Sequence, residues 1–220
     1  MTDFAQARRA MLDHQLRTSD VTDRRLLAAM GRVPREEFVP EARRSLAYID
    51  RAHRLVEEPG GRALPAPTPF ARLVQLAGVG AKDRVLDVGC GTGYSTAVLA
   101  ELAAAVVGIE ETASLADRAR KTLATLGAGN AEVVEAPLVA GVPEKGPYDV
   151  IIVEGEVASV PEALQQQLAD GGRLVAVIRR AGVGVAHRFV RAGDDVAAYA
   201  AFDASMPPLT VPGPSDQFVF

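Results

Sequence analysis

The sequence predicts an α/β fold with a seven-stranded, mostly parallel sheet, helices on both faces and an N-terminal helical cover. Apolar, strand-like runs alternate with helical patterns between residues 84 and 178, an order typical of parallel sheets. A glycine-rich turn follows the first of these runs. Two later strand patterns, joined by a tight turn at residues 192–195, predict an antiparallel hairpin at the end of the sheet.

The length and charge of the chain limit its organisation and its partners. A chain of 220 residues can bury one sizeable core, so we expect a single domain over residues 1–220. We divide it into a helical cover (1–60), a loop and helix beside the site (61–80), a core (81–204) and a docked, extended tail (205–220). The net charge is −4, so neither nucleic acid nor a membrane surface is an expected partner.

Absent patterns set further expectations. The N-terminus lacks the apolar segment of a signal peptide, and no run approaches the ~18 apolar residues of a membrane span, so we expect a cytoplasmic protein. Cys90 is the single cysteine, which excludes a disulfide within the chain and a cysteine-based zinc site. The three histidines lie far apart in the sequence, and we expect no metal site. No pattern predicts an oligomeric state.

Helical spacing dominates the first part of the chain. Apolar residues predict one helix over 4–16 and a second over 21–30 capped by Thr22, and residues 43–49 form a candidate short helix. The proline- and glycine-rich stretch 57–69 is predicted to be neither helix nor interior strand. A short helix is expected at 70–77.

The core elements follow in order. Strands are expected at 84–88, 105–110, 131–135, 150–153, 174–178, 185–190 and 196–202. Helices are expected to begin at Tyr94, after a Thr112 cap and at Pro161, the last reaching about residue 169 before Gly171 and Gly172 stop it. Four prolines in the tail predict extended chain, with the aromatic residues at 218–220 docked on the body.

The turn after the first strand reads Asp87-Val88-Gly89-Cys90-Gly91-Thr92-Gly93-Tyr94. Its alternating glycines allow the backbone to approach a ligand closely, and the helix opening at Tyr94 directs free amide groups at that ligand. Cys90 is predicted to pack inside the turn rather than to act as a nucleophile. Tyr94 is expected either to contact the ligand or to pack.

Two acidic residues indicate which ligand the turn binds. A carboxylate at Asp87 repels a pyrophosphate but suits an ammonium or sulfonium cation. Glu110 ends the next strand, where an acid accepts hydrogen bonds from ribose hydroxyls; Glu111 takes this role if the register shifts by one. The pattern predicts a Rossmann-like site for S-adenosylmethionine, with these cofactor-binding residues: Asp87, Val88, Gly89, Cys90, Gly91, Gly93, Tyr94, Glu110 and Glu111.

Two other interpretations of the turn stay open. It can be a structural connection in which Asp87 is satisfied internally and Glu110 is merely exposed. It can also bind a nicotinamide or flavin cofactor, although the Gly91–Gly93 spacing departs from the G-x-G-x-x-G of most dehydrogenases.

The chain resembles the protein-L-isoaspartate O-methyltransferases, which belong to the class I methyltransferases. The matching stretches are residues 11–16 (MLDHQL), 26–30 (LLAAM), 33–40 (VPREEFVP), 84–100, 107–110 (VGIE), 147–153 (PYDVIIV) and 171–175 (GGRLV). The resemblance implies the class I methyltransferase fold. It also implies methyl transfer from S-adenosylmethionine to the free carboxylate of an isoaspartyl residue in a damaged protein or peptide.

The chain departs from the family pattern around the acceptor. The family's Gln-Thr-Ile-Ser-Gln-Pro stretch corresponds to residues 62–67, so its two hydroxyls become Ala63 and Pro65. The family's Gly-Asp after the third strand becomes Ala136-Pro137, which adds Ala136 to the expected cofactor contacts. Small residues after the fourth strand become Glu154-Gly155-Glu156. Arg62, Thr68 and Glu154 are therefore the acceptor-side candidates.

The sequence nominates no catalytic base, although His14 and His53 are possible ones and His187 is expected to be an ordinary strand residue. Three hypotheses remain: an isoaspartyl methyltransferase with a rebuilt acceptor loop, a methyltransferase for a different small-molecule or protein acceptor (for example a neutral or cationic small molecule), and a cofactor-binding homologue without activity.

Overall fold

A computed structural model describes residues 3–56 and 61–209; the predictions for 57–60 and for the tail residues 210–220 lie outside this part. The N-terminal segment forms α1 (Phe4–Met11), a π-helical turn (Leu12–Leu16), a 3-10 turn (Arg17–Ser19), α2 (Arg24–Arg32) and 3-10 turns at Arg35–Glu37 and Glu41–Leu46. A two-stranded antiparallel hairpin of β1 (His53–Arg54) and β2 (Ala63–Leu64) precedes α3 (Pro67–Ala77).

Seven strands form the main sheet: β3 (Arg84–Val88), β4 (Ala105–Glu110), β5 (Ala131–Glu135), β6 (Tyr148–Val157), β7 (Leu168–Arg180), β8 (Val183–Ala192) and β9 (Asp195–Asp203). Their order is β5-β4-β3-β6-β7-β8-β9. The first five in this order are parallel, and β8 and β9 add antiparallel strands at one edge. The predicted fold class, with seven strands and a terminal hairpin, is confirmed.

The two faces of the sheet are covered differently. One face packs on the N-terminal helices, α3, α4 (Tyr94–Ala100) and α5 (Ala113–Thr125) through residues such as Val85, Val106 and Ile152. The other, which includes Leu86 and Ile151, packs on the 138–168 segment, whose one α-helix among the described residues is α6 (Glu162–Gln165). Alternate residues of each strand therefore bury both faces, as expected of a parallel sheet.

The strand predicted at 150–153 runs on to Val157, so Glu154 and Glu156 lie within β6 rather than after it. Three predicted helix boundaries are also wrong. The helix α3 begins at Pro67 rather than at residue 70, because proline is well suited to a first helical turn, where its missing N–H has no partner to lose. The cap of α2 is Asp23 rather than Thr22; its Oδ1 accepts from the amides of Arg25 (2.8 Å) and Leu26 (3.1 Å).

The third wrong boundary concerns the segment after Pro161. The helix there ends at Gln165, and residues 168–173 extend β7, so Gly171 and Gly172 lie in a strand rather than stopping a helix.

The described end of the tail runs along β6. The Glu156 amide donates to the Pro207 carbonyl oxygen (2.9 Å), and the Leu209 amide donates to the Glu156 carbonyl oxygen (2.8 Å). These bonds bring Leu209 to the carboxyl ends of the central strands. In the described part of the chain, none of the helices combines the length and the apolar character that crossing a bilayer demands.

Candidate active site

The turn between β3 and α4 lies at the carboxyl end of the sheet, and every residue from 89 to 94 is buried. The amides of Gly89 and Cys90 donate to the Ile109 carbonyl oxygen at 2.9 and 3.0 Å, which ties the turn to β4. Gly89 and Gly91 have φ of +82° and +56°, a backbone region that favours glycine. The backbone is thus bent back over the ends of two neighbouring strands.

Asp87 forms one end of this site and is fully buried. Its Oδ2 accepts from the hydroxyls of Ser95 (2.7 Å) and Thr96 (2.6 Å), both on α4. Its Oδ1 has no hydrogen-bond partner within residues 3–56 and 61–209. Burial raises the pKa of Asp87 to about 6, although the two hydroxyl donors lower it.

Glu110 forms the other end and is also fully buried. It accepts hydrogen bonds from the backbone amides of Gly91 (2.9 Å), Glu111 (3.1 Å) and Thr112 (3.1 Å). The Arg62 guanidinium completes the set: its Nε and Nη2 lie 3.1 Å from Glu110 Oε2. The Glu111 side chain is exposed, so the inward-facing acid is Glu110.

Three side chains close over the glycine turn. A Cβ placed on Gly89 would lie 2.7 Å from Arg62 Nη2 and 3.0 Å from Leu209 Cδ1, and one on Gly91 would lie 2.8 Å from Leu55 Cδ1. Arg62 Nη2 also donates to the Gly89 carbonyl oxygen. The chain itself therefore covers the backbone that the sequence predicts to face a ligand.

Glu154 extends the Asp87 end of the site from β6. It is 2% exposed, and neither carboxyl oxygen has a hydrogen-bond partner among the described residues. Burial, followed by the negative charge of Asp87, raises the pKa of Glu154 well above its usual value. Both effects favour the neutral, protonated form of the acid. Glu156 is different, since its carboxylate is paired with Arg179.

A buried arginine joins the N-terminal cover to the site. Arg35 lies 4.6 Å from the centroid of the Tyr94 ring and donates to the carbonyl oxygens of Ala47 (2.8 Å) and Pro65. Tyr94 also packs against Phe38, with ring centroids 5.5 Å apart. Burial lowers the pKa of Arg35, which nevertheless stays charged because the guanidinium value is so high.

An open cavity of about 670 Å³ lies beside the β1–β2 hairpin. Gly61 and Ala63, the neighbours of Arg62, line it, and so do the arginines Arg51, Arg54 and Arg179. Arg179 is already paired with Glu156, and Asp50, which also lines the cavity, offsets one of the other two arginines, so one positive charge remains in excess. A negatively charged group is the ligand this lining favours.

The remaining predicted residues have the following places. Val88 ends β3 in the core, and Cys90 is 3% exposed, with its pKa raised by burial. The Thr92 hydroxyl donates to the Phe38 carbonyl oxygen (2.6 Å), and Gly93 caps α4. The Ala136 amide donates to the Glu110 carbonyl oxygen (3.2 Å), and the Thr68 amide donates to Asp50 (2.9 Å).

The histidines lie outside the two acidic ends. His14 is exposed on the π-helical turn, and His187 Nδ1 lies 2.9 Å from the Val185 carbonyl oxygen on β8. His53 is buried on β1, and burial lowers its pKa to about 4. A base that weak is a poor proton acceptor at neutral pH.

Comparison with known proteins identifies the family. A model of the family described as Protein-L-isoaspartate(D-aspartate) O-methyltransferase (PCMT) matches residues 6–206. The chain belongs to this family.

Relatives of this isoaspartate methyltransferase family match over most of the chain. Protein-L-isoaspartate O-methyltransferase 2 of Anaeromyxobacter sp. (strain Fw109-5) is 43% identical over 168 residues, 76% of this chain and 68% of the relative. The protein-L-isoaspartate O-methyltransferase of Roseiflexus sp. (strain RS-1) is 38% identical over 207 residues, 94% of this chain and 93% of the relative. The predicted family, an S-adenosylmethionine-dependent methyltransferase family, is confirmed.

Solved structures support the same fold. One named as a protein-L-isoaspartate O-methyltransferase superposes with a TM-score of 0.79 at 27% identity over 90% of this chain; the chain spans 64% of that protein. A second, a candidate protein-L-isoaspartate O-methyltransferase from Plasmodium falciparum solved in complex with S-adenosyl-L-homocysteine, gives a TM-score of 0.77 at 23% identity, over 93% of this chain and 99% of that one.

Sequence reasoning missed two features of the site. Arg35 lies in the VPREEFVP stretch that resembles the family, but a lone arginine among charged neighbours gives no sign that it is buried. Arg62 was expected on the acceptor side, and the structure places its guanidinium on Glu110 instead. The charge of Arg62 was a signal, but its partner lies 48 residues away in the sequence.

Proposed function

We propose that this chain transfers a methyl group from S-adenosylmethionine to the carboxylate of isoaspartyl residues in proteins or peptides. The observation that carries the proposal is the family match over residues 6–206, which spans the cofactor turn and the acceptor segment together. When bound, the cofactor supplies a methyl group on a sulfonium centre. The chain holds the cofactor and the acceptor in the orientation that the transfer needs, and it excludes water from the site.

The buried polar atoms fit this cofactor at one end. Asp87 Oδ1 and both oxygens of Glu154 are buried acceptors that lack partners in the described part of the chain, and a buried polar group without a partner is unfavourable by about 1–3 kcal/mol. Hydrogen-bond donors on the cofactor's methionine end would satisfy Asp87 Oδ1, and the two ligands together would satisfy Glu154. Glu110 would hold the ribose, once Arg62 has moved.

Glu154 supplies the donor that the acceptor side otherwise lacks. Ala63 and Pro65 stand where the family has hydroxyls, and a carboxylate acceptor needs a donor or a positive charge. A neutral carboxylic acid carries one O–H donor. In this proposal Glu154 donates that proton in a hydrogen bond to the acceptor carboxylate, and Arg51 and Arg54 attract the anionic peptide to the neighbouring cavity.

The same geometry argues against a cationic small-molecule acceptor. That alternative depended on two added negative charges at Glu154 and Glu156. Glu156 is paired with Arg179, and burial raises the pKa of Glu154, which favours its neutral form. The described residues therefore provide no unpaired carboxylate charge at these two positions.

The experiment measures methyl ester formed from labelled S-adenosylmethionine on an isoaspartyl peptide, with the same peptide carrying ordinary aspartate as control. We expect ester on the isoaspartyl peptide alone. Glu154→Gln keeps a donor and should retain most of the rate, whereas Glu154→Ala should lose about 100-fold. The rate of the native protein should fall as pH rises through the pKa of Glu154, and that of Glu154→Gln should not. No ester above background would refute the proposal.

A further inference from the structure

Arg62 holds the acceptor sites on Glu110 that a ribose needs. A carboxylate has about four lone-pair positions, and three backbone amides already donate to the Glu110 carboxylate. The guanidinium takes what remains of this capacity: Nε and Nη2 each lie 3.1 Å from Oε2, and Nε also lies 3.3 Å from Oε1. A ribose hydroxyl that donates to Glu110 would need this same remaining capacity, so the guanidinium and the ribose are mutually exclusive.

The contact is well formed rather than a chance approach of a surface side chain. Arg62 is 11% exposed at its side chain and Glu110 is fully buried, so the pair is poorly screened by water. Arg62 Nη2 makes a further bond to the Gly89 carbonyl oxygen. Leu55, whose amide donates to the Arg62 carbonyl oxygen at 2.8 Å, packs over Gly91 from the same hairpin.

The hairpin has the cofactor turn on one side and the arginine-lined cavity on the other. Arg62 lies between Gly61 and Ala63, which both line that cavity, while its own side chain is turned toward Glu110. A guanidinium released from Glu110 therefore emerges at the wall of the cavity. There it adds a positive charge with donors suited to a carboxylate.

We infer that Arg62 is an exchange residue: it occupies the ribose position of the cofactor site until the cofactor displaces it, and it then binds the acceptor carboxylate. This inference rests on the proposed function. It makes binding ordered, with the cofactor first and the acceptor second. It also assigns one residue opposite effects on the two ligands, weakening the first and strengthening the second.

The test compares the native protein with Arg62→Gln, Arg62→Lys and a control, Arg32→Gln, whose exposed ion pair with Glu101 lies outside this site. Calorimetric titration with S-adenosyl-L-homocysteine measures cofactor-site affinity without turnover. Arg62→Gln should bind about 10- to 100-fold more tightly, because no charged hydrogen bond must be broken, and Glu110 keeps its three amide donors. Arg32→Gln should match the native protein.

The second measurement is the KM for an isoaspartyl peptide at saturating cofactor. Arg62→Gln should raise KM by about tenfold or more with little change in kcat, and Arg62→Lys should recover part of the loss because it keeps the charge.

A Kd for Arg62→Gln equal to or weaker than the native value overturns the exchange. Tighter binding with an unchanged KM overturns the acceptor role. If the native protein methylates the peptide in either case, the proposed function stands; if no variant binds S-adenosyl-L-homocysteine, both fail.

Discussion

The two acidic ends of the site differ in what satisfies them. At the Asp87 end, Asp87 Oδ1 and both Glu154 oxygens lack partners among the residues described. At the Glu110 end, three amides and the Arg62 guanidinium satisfy the carboxylate. Unsatisfied buried atoms mark where a ligand completes the structure, whereas a satisfied carboxylate marks where a ligand has to compete with the chain.

The difference predicts opposite responses when each end is altered. Removing a satisfied group leaves its partners stranded and destabilises the fold. Replacing a buried ionisable group that lacks a partner relieves an unfavourable burial and stabilises the fold. Active sites often contain such unfavourable groups, because function keeps them there at the expense of stability.

The largest effect is expected at the satisfied end. Glu110→Ala should lower the free energy of unfolding by about 3–5 kcal/mol, because it leaves three amides and the largely buried Arg62 without their acceptor. Urea unfolding measures the change. The matched control is Glu101→Ala, which breaks an exposed pair with Arg32 and should lose less than about 1 kcal/mol. Equal losses in the two variants would contradict the assignment of Glu110 as a satisfied buried partner.

A smaller effect of opposite sign is expected at the other end. Glu154→Gln should raise the free energy of unfolding by about 1–2 kcal/mol at pH 8. The folded state raises the pKa of Glu154 above its unfolded value, so it holds a proton that the unfolded chain releases. The native protein therefore loses stability as pH rises from about 4.5 through the folded pKa, at up to about 1.4 kcal/mol per pH unit.

The advantage of Glu154→Gln should thus grow with pH and vanish near pH 4. Unfolding curves at pH 5, 6.5 and 8 for the native protein and the variant measure this trend. Glu156→Gln is the matched control, since Glu156 is paired with Arg179 and its replacement should bring no gain. An advantage that is constant with pH would mean that Glu154 is charged in the folded protein.

The strand pattern and the glycine turn made the core of the fold predictable from the sequence. The central strands β3, β4 and β6 are apolar runs in which nearly every residue is buried, so local sequence carries the information. The start of α3 at Pro67 follows from a local preference of proline that the sequence prediction overlooked, whereas the extension of β7 to residue 168 depends on its pairing with β6.

The site was predictable only in part, and the residues show why. Asp87 and Glu110 follow from their spacing around the turn. The partner of Glu110 does not, because Arg62 reaches it from a separate hairpin. Glu154 stands out in the sequence because the family has small residues there, but the rise of its pKa depends on burial beside Asp87, which only the three-dimensional arrangement reveals.

The smallest effect is expected between the two ends, at Cys90. Its side chain packs near Gly108 of β4, where a Cβ would lie 3.2 Å from the sulfur, and it forms part of neither acidic end. Cys90→Ala should lower the free energy of unfolding by about 1 kcal/mol, the effect of removing one buried atom, and should change the Kd for S-adenosyl-L-homocysteine by less than about threefold. In the folded protein a thiol reagent should react slowly, since the thiol is 3% exposed and burial raises its pKa. Rapid reaction before unfolding would show that the turn opens far enough to expose the site, so the Glu110 end would be less firmly closed than the Arg62 contacts imply.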